Sequence, residues 1–182
     1  MRSSNFVLML ILLVLAGCGS VKDDLFPSGS DKRAVVETGT TGPAVGQNAP
    51  DFTVSDTLGN SVTLSAVVPA YKGIVLYFTM WCPTCDSHMS YLRDSVIPQN
   101  PTIAFYAVDY VSGSVTEARN AQVSNGYVDS GFIVLADTAH TILDSYNGTM
   151  GTTVVIDKNG IIQMNEDLKN GSKLQTVLGE LP

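Results

Sequence analysis

Three residues of this chain can do thiol chemistry: Cys18, Cys82 and Cys85. Cys82 and Cys85 stand in Trp81-Cys82-Pro83-Thr84-Cys85, directly after an apolar run at residues 74–79 and at the start of a segment that reads as a helix over 83–96. Two intervening residues at a helix N-terminus bring both sulfurs within bonding distance. The first sulfur then sits among backbone N–H groups that have no helical partner, at the positive end of the helix dipole. Both effects stabilise a thiolate. A thiolate attacks a disulfide to give a mixed disulfide, and a second thiol resolves it by attacking the first. This pattern assigns Cys82 as nucleophile and Cys85 as resolving thiol. Pro83 suits a first helical position, where a missing N–H loses no bond. Two other uses of the pair stay open at this level. It could be half of a zinc site, although structural zinc takes four ligands and no further cysteine follows Cys85. It could also be a static disulfide, which an exported chain permits.

The elements that must position the pair follow from pattern. Residues 74–79, bounded by Gly73, are expected as a buried, parallel strand. The helix after it is punctuated by Pro98 and Pro101. Residues 103–108 and 132–135 read as further buried strands, with helices over 115–124 and 139–146. Residues 152–156 and 161–164 flank the turn Asp157-Lys158-Asn159-Gly160 as an antiparallel hairpin, and 172–178 is a closing helix. Ahead of all these, the turn signal Asp56-Thr57-Leu58-Gly59-Asn60 before alternating Ser61-Val62-Thr63-Leu64 suggests a short hairpin. The whole indicates an α/β sandwich with a mixed central sheet.

The chain has 182 residues, 45% of them hydrophobic and 15% charged, which fits one globular domain with an extension. A formal net charge of −7 without a Lys/Arg cluster argues against nucleic acid as a partner, because phosphate neutralisation supplies most of that affinity. The extension is N-terminal. Arg2 precedes an apolar run over residues 6–16, which is too short for a bilayer span of about 20 residues and has the length of a signal-peptide hydrophobic region. Leu15-Ala16-Gly17-Cys18 resembles the bacterial lipobox. That resemblance implies cleavage before Cys18 and acyl chains on Cys18 as a membrane anchor. It also leaves Cys82 and Cys85 as the thiols of the mature chain. Residues 19–46, rich in Gly, Ser, Thr and Asp, read as a flexible tether with a reach of about 30 Å. The expected organisation is a signal peptide over 1–17, an anchored tether over 18–46 and a domain over 47–182. Gly19 replaces the Asp that holds lipoproteins at the inner membrane of enteric bacteria, which favours the outer membrane in a Gram-negative host.

Ala49-Pro50-Asp51-Phe52, the stretch Tyr77-Phe78-Thr79-Met80-Trp81-Cys82-Pro83-Thr84-Cys85, and Thr152-Thr153-Val154-Val155-Ile156-Asp157-Lys158-Asn159-Gly160 resemble the redoxin family. Within it, the likeness is to TlpA/ResA-like thiol–disulfide oxidoreductases and spans about residues 46–182. The resemblance implies a thioredoxin-like fold with an added N-terminal β-hairpin and no bound cofactor. It implies disulfide exchange outside the cytoplasm with protein thiol and disulfide substrates and a redox partner protein. It marks Trp81, Pro83, Thr84, Met150, Gly151 and Thr152 as the flank of the cysteine pair.

The chain departs from the family pattern twice. Gly151 stands where relatives carry a cis-proline facing the cysteines, so this loop is expected to be trans, with glycine supplying unusual dihedrals. Leu76, six residues before Cys82, replaces the buried acid that thioredoxins use for proton transfer, so a different acceptor or slower exchange is expected. Asp56 reads as turn chemistry rather than as that acceptor. His88, one helical turn beyond Cys85, reads as solvent-facing, and Asp86 as complementing the helix dipole. The residues leave three alternatives to disulfide exchange. Cys82, Cys85 and His140 could imitate the copper site of Sco-type proteins. Thr79-Met80-Trp81-Cys82 matches the T-x-x-C core of peroxiredoxins, but no arginine follows Arg119. The fold could also serve as a binding module whose disulfide is only structural.

Overall fold

The computed structural model describes residues 36–37 and 39–182. The lipobox, Cys18 and the tether as far as residue 35 lie outside the described residues. Among those residues no helix is long and apolar enough to cross a membrane.

The apolar run before the cysteines forms β3 (Gly73–Thr79), and every residue of it is buried. It is buried because strands flank both its edges and helices cover both its faces. It pairs in parallel with β4 (Ile103–Asp109), and β4 pairs in parallel with β5 (Phe132–Ala136). On its other edge β3 pairs antiparallel with β6 (Thr152–Asp157), which pairs antiparallel with β7 (Ile162–Asp167). Beyond β5, β1 (Thr53–Asp56) runs antiparallel to it and to β2 (Ser61–Thr63). The result is one seven-stranded mixed sheet in the order β2-β1-β5-β4-β3-β6-β7.

Side chains alternate across a strand, so β3 feeds two cores. Val75 and Tyr77 enter one core with Met89, Leu92 and Val96, and with Leu174 and Leu178 of α5 (Ser172–Glu180). Met89 belongs to α2 (Pro83–Tyr91). Ile74, Leu76 and Phe78 enter the other core with Phe52, with Leu64 of α1 (Leu64–Val67), and with Ile142 of α4 (Thr141–Ser145). α3 (Val115–Ser124) connects β4 to β5, with Ser114 as N-cap accepting from Glu117 N–H.

Three segments differ from the sequence reading. The helix expected over 83–96 is α-helical only to Tyr91. A wider π turn, Leu92–Val96, follows, and then a 3-10 turn, Ile97–Gln99, which takes in Pro98. The helix expected over 139–146 starts at Thr141, because the buried Asp137 carboxylate accepts from Ile142 N–H and Leu143 N–H and sets its first turn. Residues 39–46, read as tether, lie against the domain. Gly46 N–H donates to Ile162 O, Ile162 N–H donates to Gln47 O, and Asn165 Nδ2 donates to Pro43 O. The open side of β7 supplies those partners, so residues 43–47 are tied to the sheet.

Candidate active site

The parallel pairing of β3 and β4 sets Thr79 opposite Asp109, so both strands end at one place. The chain leaves β3 there, turns through Trp81 and enters α2. Trp81 holds φ +58°, a left-handed conformation unusual for a bulky residue. Two bonds keep it there. Its backbone N–H donates to Thr79 Oγ1 at 3.1 Å, and its indole Nε1–H donates to Asp109 Oδ2 at 2.8 Å. Asp109 is wholly buried, and its carboxylate also accepts from Val111 N–H, Ser112 N–H and Ser112 Oγ–H.

Trp81 delivers Cys82 to the N-cap of α2 with extended backbone (φ −84°, ψ 165°), and Pro83 follows in the first turn. Cys85 N–H donates to Cys82 Sγ at 3.2 Å, and the two sulfurs, both free thiols, are 2.8 Å apart. The Cys85 side-chain hydrogen bond holds the Cys82 thiol below its ordinary range. The N–H groups of Cys85 and Thr84 add to that effect, against an opposing desolvation cost. Cys82 is part-exposed, whereas Cys85 is fully buried. The pair is therefore asymmetric, with one accessible thiol eased toward thiolate and one thiol shut away behind it.

The loop ahead of β6 forms the facing wall. Met150 Sδ lies 3.3 Å from Cys82 Sγ. Gly151 has φ +84° and its N–H donates to Phe78 O at 3.0 Å, while its carbonyl accepts from Leu168 N–H and Thr153 Oγ1. Proline provides neither that φ nor that N–H. Any other side chain there would be strained by about 1–2 kcal/mol. Thr152 Oγ1 accepts from Thr149 N–H and donates to Asp167 Oδ1, which ties the loop to β7. Pro83 and Thr84 are exposed on the α2 side of Cys82.

A model of the AhpC/TSA family matches residues 45–165, two thirds of the chain. The thiol-disulfide oxidoreductase ResA of Geobacillus thermodenitrificans is 30% identical over 159 residues, covering 85% of this chain and 82% of the relative. The chain belongs to the AhpC/TSA family. Among AhpC/TSA proteins it is a TlpA/ResA-like thiol–disulfide oxidoreductase. Its fold is thioredoxin-like. The thioredoxin domain of a thiol-disulfide oxidoreductase from Bacteroides vulgatus superposes with a TM-score of 0.56 at 21% identity, covering 76% of this chain and 99% of that one. A secreted disulfide oxidoreductase from Mycobacterium tuberculosis gives a TM-score of 0.56 at 20% identity, covering 71% and 96%.

The structure also places the other residues that the sequence named. His88 turns its Nδ1 inward rather than standing free in solvent. It is half-buried, with Nδ1 3.1 Å from Tyr77 Oη. His140 does not join the cysteines. Its Nε2 lies 2.9 Å from Tyr110 O, and among the described residues no three His, Cys, Asp or Glu side chains gather as a metal-binding group. The Thr79 hydroxyl is wholly buried and is taken by Trp81 N–H. The two described arginines bind elsewhere, Arg93 to Asp94 and Arg119 to Gln122. A peroxide-holding Thr–Arg pair is thus not assembled beside Cys82 among the described residues. Asp56 caps its own turn through Leu58 N–H and Asn60 N–H. Asp86 accepts from Tyr127 Oη–H at 2.7 Å. Asp109 and Tyr77 are the site residues that the sequence did not single out. The one signal for Asp109 was its place at the carboxyl end of a buried parallel strand, where open α/β sheets gather their sites.

Proposed function

We propose that Cys82 and Cys85 are the redox pair of this thiol–disulfide oxidoreductase, acting on protein thiols and disulfides outside the cytoplasm from a lipid anchor on Cys18. The observation that carries the redox reading is the asymmetry of the pair: an accessible sulfur held at a helix N-cap, and a buried sulfur in contact with it. Attack by Cys82 on a substrate disulfide breaks the substrate S–S bond and forms a Cys82–substrate bond. Attack by Cys85 then forms the Cys82–Cys85 disulfide and releases the second substrate thiol. The exposed side chains of Met80, Val111 and Met150 around Trp81 and Cys82 give an unfolded or extended polypeptide an apolar place to rest.

A redox titration in glutathione buffers, followed by Trp81 fluorescence, tests the pair. The expected result is a reversible two-electron transition at a potential above about −300 mV. A pair locked as disulfide below that value, without exchange, would return the domain to a binding module with a static bond.

The support for the anchor is the Leu15-Ala16-Gly17-Cys18 motif after an apolar run of signal-peptide length. Expressed from the full chain in a bacterium fed labelled palmitate, the protein is expected to carry label and sediment with membranes. Cys18→Ser is expected to lose both properties. Label retained in Cys18→Ser would show that Cys18 is not the acylated residue.

A further inference from the structure

We propose that Tyr77 and His88 form a proton relay that takes the proton from Cys85 when Cys85 resolves the mixed disulfide. The inference rests on the reading of Cys82 and Cys85 as the redox pair. At the mixed-disulfide stage Cys85 must become a thiolate to attack, and its sulfur has no solvent exposure into which to release a proton. Leu76, at the position where an acid would serve, points into the opposite core with Val154 and Ile156. The strand's alternation turns Tyr77 toward α2 instead.

Three geometric facts define the path. Tyr77 is wholly buried among residues of α2, so no solvent competes for its hydroxyl. Its Oη lies 3.1 Å from His88 Nδ1, with the two rings edge-to-face at 82°. Cys85 and His88 are three residues apart on α2, hence neighbours on one face of the helix, the face from which His88 reaches Tyr77. The electrostatics agree. Burial first, and then the nearness of Cys85 and Cys82, hold the Tyr77 hydroxyl far above the phenol range. Tyr77 can therefore pass a proton on without ionising. Burial holds His88 below its ordinary value, so the imidazole is neutral and able to accept at pH 7.

Among the described residues no charged group joins the burial that lowers His88. From β3 it meets Tyr77. From the loop before β6 it meets Gly151, which has no side chain, and a Cβ there would sit 3.7 Å from the imidazole. Asp86, next along the helix from Cys85, is engaged by the Tyr127 hydroxyl. Tyr110, whose hydroxyl is raised by burial and then by the charges of the cysteines, stays neutral.

The Cys85 S–H proton moves to Tyr77 Oη as the Tyr77 hydroxyl proton moves to His88 Nδ1. The Cys85 thiolate attacks Cys82 Sγ, the Cys82–Cys85 bond forms, and the Cys82–substrate bond breaks. The electron pair leaves on the substrate thiolate, which is protonated by solvent. His88 later returns its proton to solvent. Two electrons have passed from the cysteine pair to the substrate disulfide.

Reaction of the reduced full-length protein with 5,5′-dithiobis(2-nitrobenzoate) separates the two halves. A first thiolate is released when Cys82 attacks, and a second when Cys85 resolves the adduct. Tyr77→Phe and His88→Gln are expected to leave the first phase unchanged, which also shows that the site is folded. The second phase is expected to slow about 100-fold in each. In the wild type the second phase loses rate as pH falls through the lowered His88 pKa, and His88→Gln is expected to erase that acid limb. A second phase at wild-type rate with the same pH profile in both variants overturns the relay. Absence of any second release from the wild type overturns the redox pair, and the relay with it.

Discussion

Cys82→Ser is expected to abolish disulfide exchange, with a fall on the order of 10⁴-fold or more, because the hydroxyl that replaces the thiolate is not a nucleophile at neutral pH. Cys85→Ser is expected to do something different. It leaves the first attack intact and stops the reaction at the mixed disulfide, so the substrate remains covalently bound to Cys82. The proposed order of events rests on the difference between the two sulfurs. Cys82 is the exposed member and receives the hydrogen bonds that favour its thiolate, from Cys85 and from the N–H groups at the helix start. Cys85 is sealed beneath it and can reach only Cys82. Intact-mass measurement after mixing each variant with a disulfide-bonded protein reads both outcomes. An adduct on Cys82→Ser rather than on Cys85→Ser would reverse the two roles. The adduct formed by Cys85→Ser also names the substrate or redox partner directly.

Asp109→Ala is expected to be the most destabilising single change near the site, by about 3 kcal/mol. The carboxylate accepts from Trp81 Nε1–H, from two backbone N–H groups and from the Ser112 hydroxyl, all within 3.1 Å. Alanine leaves several of those buried donors without a partner and opens a small void. In a domain of this size the melting temperature should fall by about 6–12 °C. The loss should also reach function. The indole–carboxylate bond is one of two restraints on the left-handed Trp81, and Trp81 sets where Cys82 enters the helix. Thermal unfolding followed by circular dichroism, with Cys82 alkylation rates on the folded variant, checks both parts. A stability change below about 1 kcal/mol would show that the network is solvated rather than buried.

How far the sequence carried this reading depends on the kind of signal each residue leaves. The order of strands and helices was legible because β3 and β4 are apolar along their whole length and the turns between later elements are rich in Gly and Asn. The end of α2 was not. A π turn at Leu92–Val96 needs no special residue, and the apolar spacing there reads as ordinary helix. Residues 39–46 are polar and glycine-rich, the composition of a linker, and their place depends on bonds to β7 that no local pattern announces. At the site, a Cys-x-x-Cys after a buried strand is a local signal. Tyr77 and Asp109 are not, since a tyrosine in an apolar run reads as core and an aspartate at a strand end reads as turn. His88 misleads for a related reason: a histidine on a polar helix face gives no hint that a tyrosine from the strand beneath reaches it.

The docking of residues 39–48 on β7 has a bearing on how such molecules live beside one another. A sheet ends in two rows of unsatisfied peptide groups, and each row can recruit a strand from a neighbouring copy. Here β2, at one end, is only Ser61–Thr63. At the other end the Gly46–Asn48 segment occupies the start of β7, with Asn48 bridging Ile161, and Glu166 and Asp167 place negative charge on its remainder. Neither margin offers a long, neutral template. Neighbouring copies would therefore meet with their sheet margins closed, a population guarded against self-templated fibre growth by three residues, Gly46–Asn48, laid along an otherwise open edge.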